Sequence, residues 1–143
     1  MSAAETRAVG GGAQPTPIEL RQLLAIAQSE YSARRHRDRM LGGGLFAEPA
    51  WDMLLDLYIQ HHRGRPVSTH SLCIAAAVPQ TTALRWIGRL VAAGYAMRRG
   101  SDLDHRVVHV ALSARGLAEM ERYLGDRLRH LSAILPQLSG SAS

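Results

Sequence analysis

Residues 79–94 read Pro79-Gln80-Thr81-Thr82-Ala83-Leu84-Arg85-Trp86-Ile87-Gly88-Arg89-Leu90-Val91-Ala92-Ala93-Gly94, and the fold turns on how they are read. Ala83, Ile87, Leu90 and Val91 recur at i, i+4, i+7 and i+8, the spacing of a narrow apolar stripe on a helix. Gln80, Thr81, Arg85 and Arg89 point away from that stripe. Pro79 suits a first helical turn, where its missing N–H has no intrahelical partner to lose. Gly94 stands where a helix C-terminus turns left-handed. The outward face offers amide, hydroxyl and guanidinium groups and no carboxylate. Such a face suits the major groove of DNA, and it also suits plain solvent.

The flanking sequence favours the first reading. Upstream, Ser68 is a good N-cap for a short helix from Thr69 to about Ala76, with Leu72, Ala75 and Ala76 inward. Val78-Pro79 then turns into the longer helix, which gives a helix-turn-helix. Downstream, the period changes from helical to alternating. Tyr95 to Arg99 reads as a strand, 100–105 as a polar turn and Arg106 to Leu112 as a second strand. Two short strands around a basic turn, directly after a helix-turn-helix, make a wing.

Three further helices enclose this unit. Glu48-Pro49 starts one that carries Trp51, Leu54, Leu55 and Tyr58 as a stripe, broadened by Met53, Leu57 and Ile59, and closed by His61, His62, Arg63 and Gly64. Arg65-Pro66-Val67 is an extended connector. Thr16-Pro17-Ile18-Glu19 reads as a capping box opening an N-terminal helix. Its apolar positions Leu20, Leu23, Leu24, Ala27 and Tyr31, widened by Ile18 and Ile26, exceed what a small domain hides, so a second subunit is the natural cover. Its end, Arg34-Arg35-His36-Arg37 with Arg39, is a solvated charge run or a phosphate-facing patch. Gly42-Gly43-Gly44 breaks the helix. Ser113 caps a final helix with Leu117, Met120, Leu124, Leu128, Leu131 and Leu135 on its stripe, and Pro136 is expected to stop it.

The domain expectation is a disordered tail over 1–15, an N-terminal dimerisation helix over 16–41, a helix-turn-helix with its wing over 47–112, a C-terminal dimerisation helix over 113–136 and a flexible tail over 137–143. The 143 residues suffice for one modest core, and 46 % hydrophobic content marks a globular chain. The net charge is +5, with no lysine, so all 17 counted Lys and Arg residues are arginine. Arginine binds phosphate or guanine through a planar fork, and an anionic partner is expected. A GC-rich genome would also enrich arginine. The lone Cys73 permits no intrachain disulfide, no apolar run reaches a membrane span, and no signal pattern opens the chain. The expectation is a soluble cytoplasmic protein without a membrane partner.

In this order the elements resemble the MarR family of bacterial transcriptional regulators, over roughly residues 17–135. The resemblance rests on Thr81 to Leu90 followed by Gly94, on the wing residues Arg98-Arg99 and Asp104-His105-Arg106, and on Val110 to Gly116. The run Phe46 to Leu57, with Leu72-Cys73-Ile74-Ala75, also resembles a winged-helix subgroup from alphaproteobacteria. The resemblance implies a mainly α fold with a small two- to three-stranded β wing, a symmetric homodimer with interlocked first and last helices, and two recognition helices in successive major grooves of a near-palindromic site. It implies a wing arginine in the minor groove braced by an aspartate, and Asp104 and Arg106 fit that Asp-x-Arg pattern. The chain departs from the family in a wing about one residue short and without the common proline, and in Leu84 where Thr is frequent. Small aromatic effectors in the family bind between the dimer helices and the DNA-binding lobe, where Tyr31, Trp51 and Tyr58 are candidates; core packing explains them as well.

The candidate DNA-binding residues are therefore Ser68, Thr69, Gln80, Thr81, Thr82, Arg85, Arg89, Arg98, Asp104, His105 and Arg106. Gln80 can pair with adenine, Thr81 can meet a thymine methyl and Arg85 can pair with guanine. Ser68 and Thr69 either donate to phosphate or simply cap. Trp86 reads as core. Cys73, beside Leu72 and Ile74, reads as a buried thiol, with a redox sensor as the alternative. His62, His70 and Cys73 match no zinc signature. No nucleophile elbow, Walker loop or dinucleotide motif is present, and Asp52 and Asp56 read as exposed solubilising charges. The expected function is a sequence-specific, ligand-responsive repressor with no cofactor and no catalytic or metal residues. A winged helix used for protein contact, or a metal or redox sensor on the same fold, is the alternative.

Overall fold

A computed structural model describes residues 14–42, 44–100 and 106–140. The element order is α1 (Pro17–Leu41), α2 (Pro49–His62), β1 (Val67–Ser68), α3 (Thr69–Ala76), α4 (Gln80–Ala92), β2 (Ala96–Gly100), β3 (Val108–Leu112) and α5 (Ala114–Ser139). The three strands form an antiparallel sheet in the order β1-β3-β2. Val67 pairs with Val110, and Arg98 pairs with Val110 from the other side. The connector expected at 65–67 thus also supplies a third strand. The tail expected over 1–15 falls almost wholly outside the described residues, as does the end of the C-terminal tail.

The helix starts follow local chemistry. Thr16 Oγ1 accepts from Glu19 N–H and Glu19 answers by accepting from Thr16 N–H, the expected capping box. Ser68 Oγ accepts from Ser71 N–H at α3, and Ser113 Oγ accepts from Gly116 N–H at α5. Each satisfies a first-turn donor that the helix itself cannot. α5 does not stop at Pro136: it continues to Ser139. Proline removes one helical hydrogen bond, and at an exposed helix end that loss is cheap enough for one more turn.

α2 is the centre of the core. Met53, Leu55, Leu57, Tyr58 and Ile59 are all buried, so the helix is covered almost all round rather than along one stripe. Trp51 and Leu54, expected at the centre of that stripe, lie half-buried at its edge. Leu72 and Ala76 of α3, Ala83, Ile87 and Leu90 of α4, and Met120 and Leu124 of α5 close the core around it.

The charge run at the end of α1 is not simply solvated. Arg34 is 7 % exposed and Asp52 of α2 is fully buried. Arg34 Nε donates to Asp52 Oδ1 at 2.5 Å and Nη2 to Oδ2 at 3.2 Å, a two-pronged pair. Arg34 also reaches Glu48, and Arg35 Nη2 donates to Asp52 Oδ2 at 2.8 Å. Asp52 is therefore a buried acceptor for two guanidiniums and not an exposed solubilising charge. Asp56, one turn on, is half-buried, and desolvation pushes its carboxyl up from the usual value.

A second tight junction joins the end of α4 to the start of α5. Gly94 takes φ +85°, a left-handed conformation that favours glycine. Ser113 Oγ donates to Gly94 O at 2.6 Å, Ser113 N donates to Tyr95 O at 3.0 Å, and Arg115 Nη1 donates to Ala93 O at 2.7 Å. A Cβ on Gly116 would lie 2.0 Å from Tyr95 O.

Two consequences are measurable by urea unfolding. Asp52→Asn leaves Arg34 and Arg35 without their buried carboxylate and is expected to cost about 3–5 kcal/mol, whereas the Arg34→Met, Asp52→Leu pair costs less than that single change. Gly116→Ala regains about 1 kcal/mol of helix propensity but forces backbone apart, and a net loss of about 2 kcal/mol or more is expected.

Candidate nucleic-acid interface

α4 displays its expected two faces. Ala83, Ile87 and Leu90 are buried, while Gln80, Thr81, Leu84, Arg85 and Arg89 are exposed. Thr82 is half-buried against the body of the domain. Arg89 lies over the Trp86 ring at 4.8 Å, so Trp86 supports a surface cation at the margin of the core. No acidic residue stands in the first turn of α4. Its N-terminal dipole is therefore not offset by a carboxylate of its own.

The wing lies beside this helix. Arg98 of β2 is exposed and reaches back over α4, its Nη2 3.8 Å from where a Cβ on Gly88 would stand. Arg99, absent from the residues expected to bind, follows it and pairs in register with His109 on the opposite sheet face. Strand alternation alone separates these two neighbours. Arg106 is exposed at the far end of the wing. Asp104 and His105 lie outside the described residues.

Charge is distributed unevenly along the chain. Between Asp56 and Asp102 the sequence carries no carboxylate at all. The same interval holds Arg63, Arg65, Arg85, Arg89, Arg98 and Arg99, every one of them exposed. Among the described residues the acidic side chains stand instead on α1, at the N-cap of and within α2, and on α5, where many are ion-paired, while Asp102 and Asp104 follow in sequence between β2 and β3. Among the described residues, the helix-turn-helix and the wing strands thus expose arginines with no carboxylate between them, an arrangement that draws polyanions.

Other expected residues are engaged internally. The Ser68 hydroxyl donates to Ser71 Oγ at 3.1 Å while capping α3, and Thr69 Oγ1 donates to Val108 O at 3.1 Å, tying α3 to the wing. Cys73 is buried, and desolvation raises its thiol pKa, the opposite of an activated thiolate. His70 is exposed and His62 sits at the end of α2; among the described residues no group of three or more His, Cys, Asp and Glu side chains is placed to hold a metal. Tyr31, Trp51 and Tyr58 do not line one shared space. Tyr58 is fully buried, Tyr31 Oη donates to Ala75 O at 2.8 Å, and Trp51 Nε1 donates to Glu30 Oε2 at 3.2 Å. Core packing and a helix tie occupy Tyr58 and Tyr31, while Trp51 also lines a recess of about 390 Å3 with Leu54, Tyr95, Met120 and Tyr123.

Residues 51–116 match the family described as a winged helix DNA-binding domain. The fold is a winged helix. Among solved structures, a mutant of MepR from S. aureus aligns with a TM-score of 0.53 at 13 % identity, covering 81 % of this chain and 77 % of that chain. A protein from Archaeoglobus fulgidus aligns at 0.50 with 17 % identity, covering 66 % and 96 %. A probable transcriptional regulator from Pseudomonas aeruginosa is 26 % identical over 79 % of this chain and 80 % of its own, with a TM-score of 0.48. No curated protein matches the sequence. The matched winged-helix segment contains the whole of α3, α4 and the wing, and leaves α1 and nearly all of α5 outside. No helix among the described residues is long and apolar enough to cross a membrane.

Proposed function

We propose that this protein is a sequence-specific, DNA-binding transcriptional regulator of the MarR type, acting as a homodimeric, ligand-responsive repressor at a near-palindromic operator in the cytoplasm. The observation that carries the reading is the exposed polar face of α4, which carries no carboxylate and over which the wing arginine Arg98 reaches. Gln80, Thr81 and Arg85 are the base readers: amide to adenine, methyl to methyl at thymine, guanidinium to guanine. Arg89 and Arg98 hold phosphate beside them, and Arg106, with Asp104 and His105, forms the wing's contact with the adjacent groove. Thr82, Ser68 and Thr69 set the helix positions from which these groups reach. A duplex backbone is the anion such a face suits best, since its phosphates run continuously along a groove that admits a helix.

The dimer reading rests on what a single subunit leaves uncovered. Ile18 at the start of α1 is 67 % exposed, and Leu135 and Leu138 near the end of α5 are 56 % and 67 % exposed. Apolar side chains repeated along two terminal helices gain stability by meeting a second copy.

A gel-shift titration against operator-containing and random duplex tests the main reading. Operator binding is expected to survive excess random DNA and to weaken steeply with salt, with a log–log slope of about 0.9 per phosphate engaged. Arg85→Ala should cost about 1–3 kcal/mol at the operator alone, while Arg89→Ala should weaken all duplexes alike. Equal competition by random DNA would sink the specific reading. Sedimentation velocity tests the assembly: the wild type should run as a dimer, and the Leu135→Glu, Leu138→Glu variant as a folded monomer.

A further inference from the structure

The outward face of α4 carries one group that the base readers named above leave unused. Leu84 is 41 % exposed and is the large apolar side chain among the exposed residues of that helix. The core stripe of Ala83, Ile87 and Leu90 is complete without it. Packing inside the subunit therefore does not account for a leucine here.

The surroundings of Leu84 leave it open on the outward side. A helix brings the residues at i−4, i−3 and i+4 against a side chain. For Leu84 these are Gln80, Thr81 and Gly88, and none is a large apolar group. Gly88 has no side chain to stand beside the leucine, and Arg98 Nη2 comes within 3.8 Å of where its Cβ would be. The row Gln80, Leu84, Gly88 thus runs from an amide, through an apolar group, to the place where the wing guanidinium arrives.

We propose that Leu84 is a specificity-determining residue that reads a thymine through its C5 methyl group. The proposal rests on the DNA-binding reading and deepens it. The edges of the base pairs in the major groove are donors and acceptors, and the thymine methyl is the apolar feature among them. Against that methyl a leucine removes exposed apolar surface from water. Set against the cytosine amino group or guanine O6, the same side chain would displace water from a polar edge without replacing its hydrogen bond. Leu84 therefore both favours thymine at its position and disfavours a G·C pair there.

The test starts from an operator selected out of a random duplex library by the full-length protein. Gel-shift titration then exchanges one thymine at a time for deoxyuridine, which removes the methyl and keeps every donor and acceptor. The wild type is expected to lose about fourfold in affinity at the thymine facing Leu84, about 0.8 kcal/mol, the worth of one buried methyl. Leu84→Ala should bind the unmodified operator at least about fourfold more weakly and should no longer distinguish thymine from deoxyuridine at that position. Thr81→Ser should keep the penalty, which separates the leucine from the neighbouring threonine methyl. Alanine is the better helix former, so the urea midpoint of Leu84→Ala should not fall. No deoxyuridine penalty at any position, a penalty that survives Leu84→Ala, or undiminished operator affinity in that variant would overturn this proposal while operator specificity stands. Equal competition by random duplex would remove the DNA-binding reading and this proposal with it.

Discussion

Asp52 has no exposure to water and accepts hydrogen bonds from two arginines of another helix. A carboxylate in that position is costly unless its partners are fixed, and a bidentate guanidinium is the geometry that fixes them. The pair decides how α1 lies against α2, and α2 is the helix around which the remaining core residues gather. Glu48, at the N-cap of α2, draws Arg34 from a second direction, so the loop between the two helices is held as well. The N-terminal helix and the winged-helix lobe are therefore joined by a directional ionic contact and not by apolar packing alone. Apolar surfaces slide; a two-pronged ion pair has one register.

Much of this fold is written locally. Thr16, Ser68 and Ser113 announce their helices because an N-cap works within three residues. The turn at Gly94 is legible because few residues other than glycine accept its backbone angle. The two faces of α4 follow from spacing alone. What escapes a local reading is contact between distant segments. Arg34 and Asp52 are 18 residues apart, and each sits in a stretch whose composition suggests solvent. β1 has two residues, too few for alternation to show, and it becomes a strand only because β3 offers it a ladder. Pro136 marks a weakening of α5 and not its end, since the rule concerns one lost bond and not the whole turn.

The candidate interface divides the same way. Gln80, Thr81, Arg85 and Arg89 could be placed on an outward face because a helix has one period. The hydroxyls of Ser68 and Thr69 could not be assigned, because their partners depend on how α3 meets itself and the wing. Arg99 was hidden by Arg98: adjacent strand residues face opposite ways, and only the sheet register tells which arginine leans on α4 and which faces away from it. Of the aromatic trio, Tyr58 by burial and Tyr31 by its hydrogen bond belong to the framework, whereas Trp51 borders a recess between α2 and α5.

The knot between residues 93–95 and 113–116 has a mechanical meaning. A serine hydroxyl, a guanidinium and a glycine pressed against a carbonyl weld the tail of α4 to the head of α5. The two helices then behave as arms of a single bell-crank. A swing of the long arm is carried to the short arm, because the contacts at the elbow hold the two together.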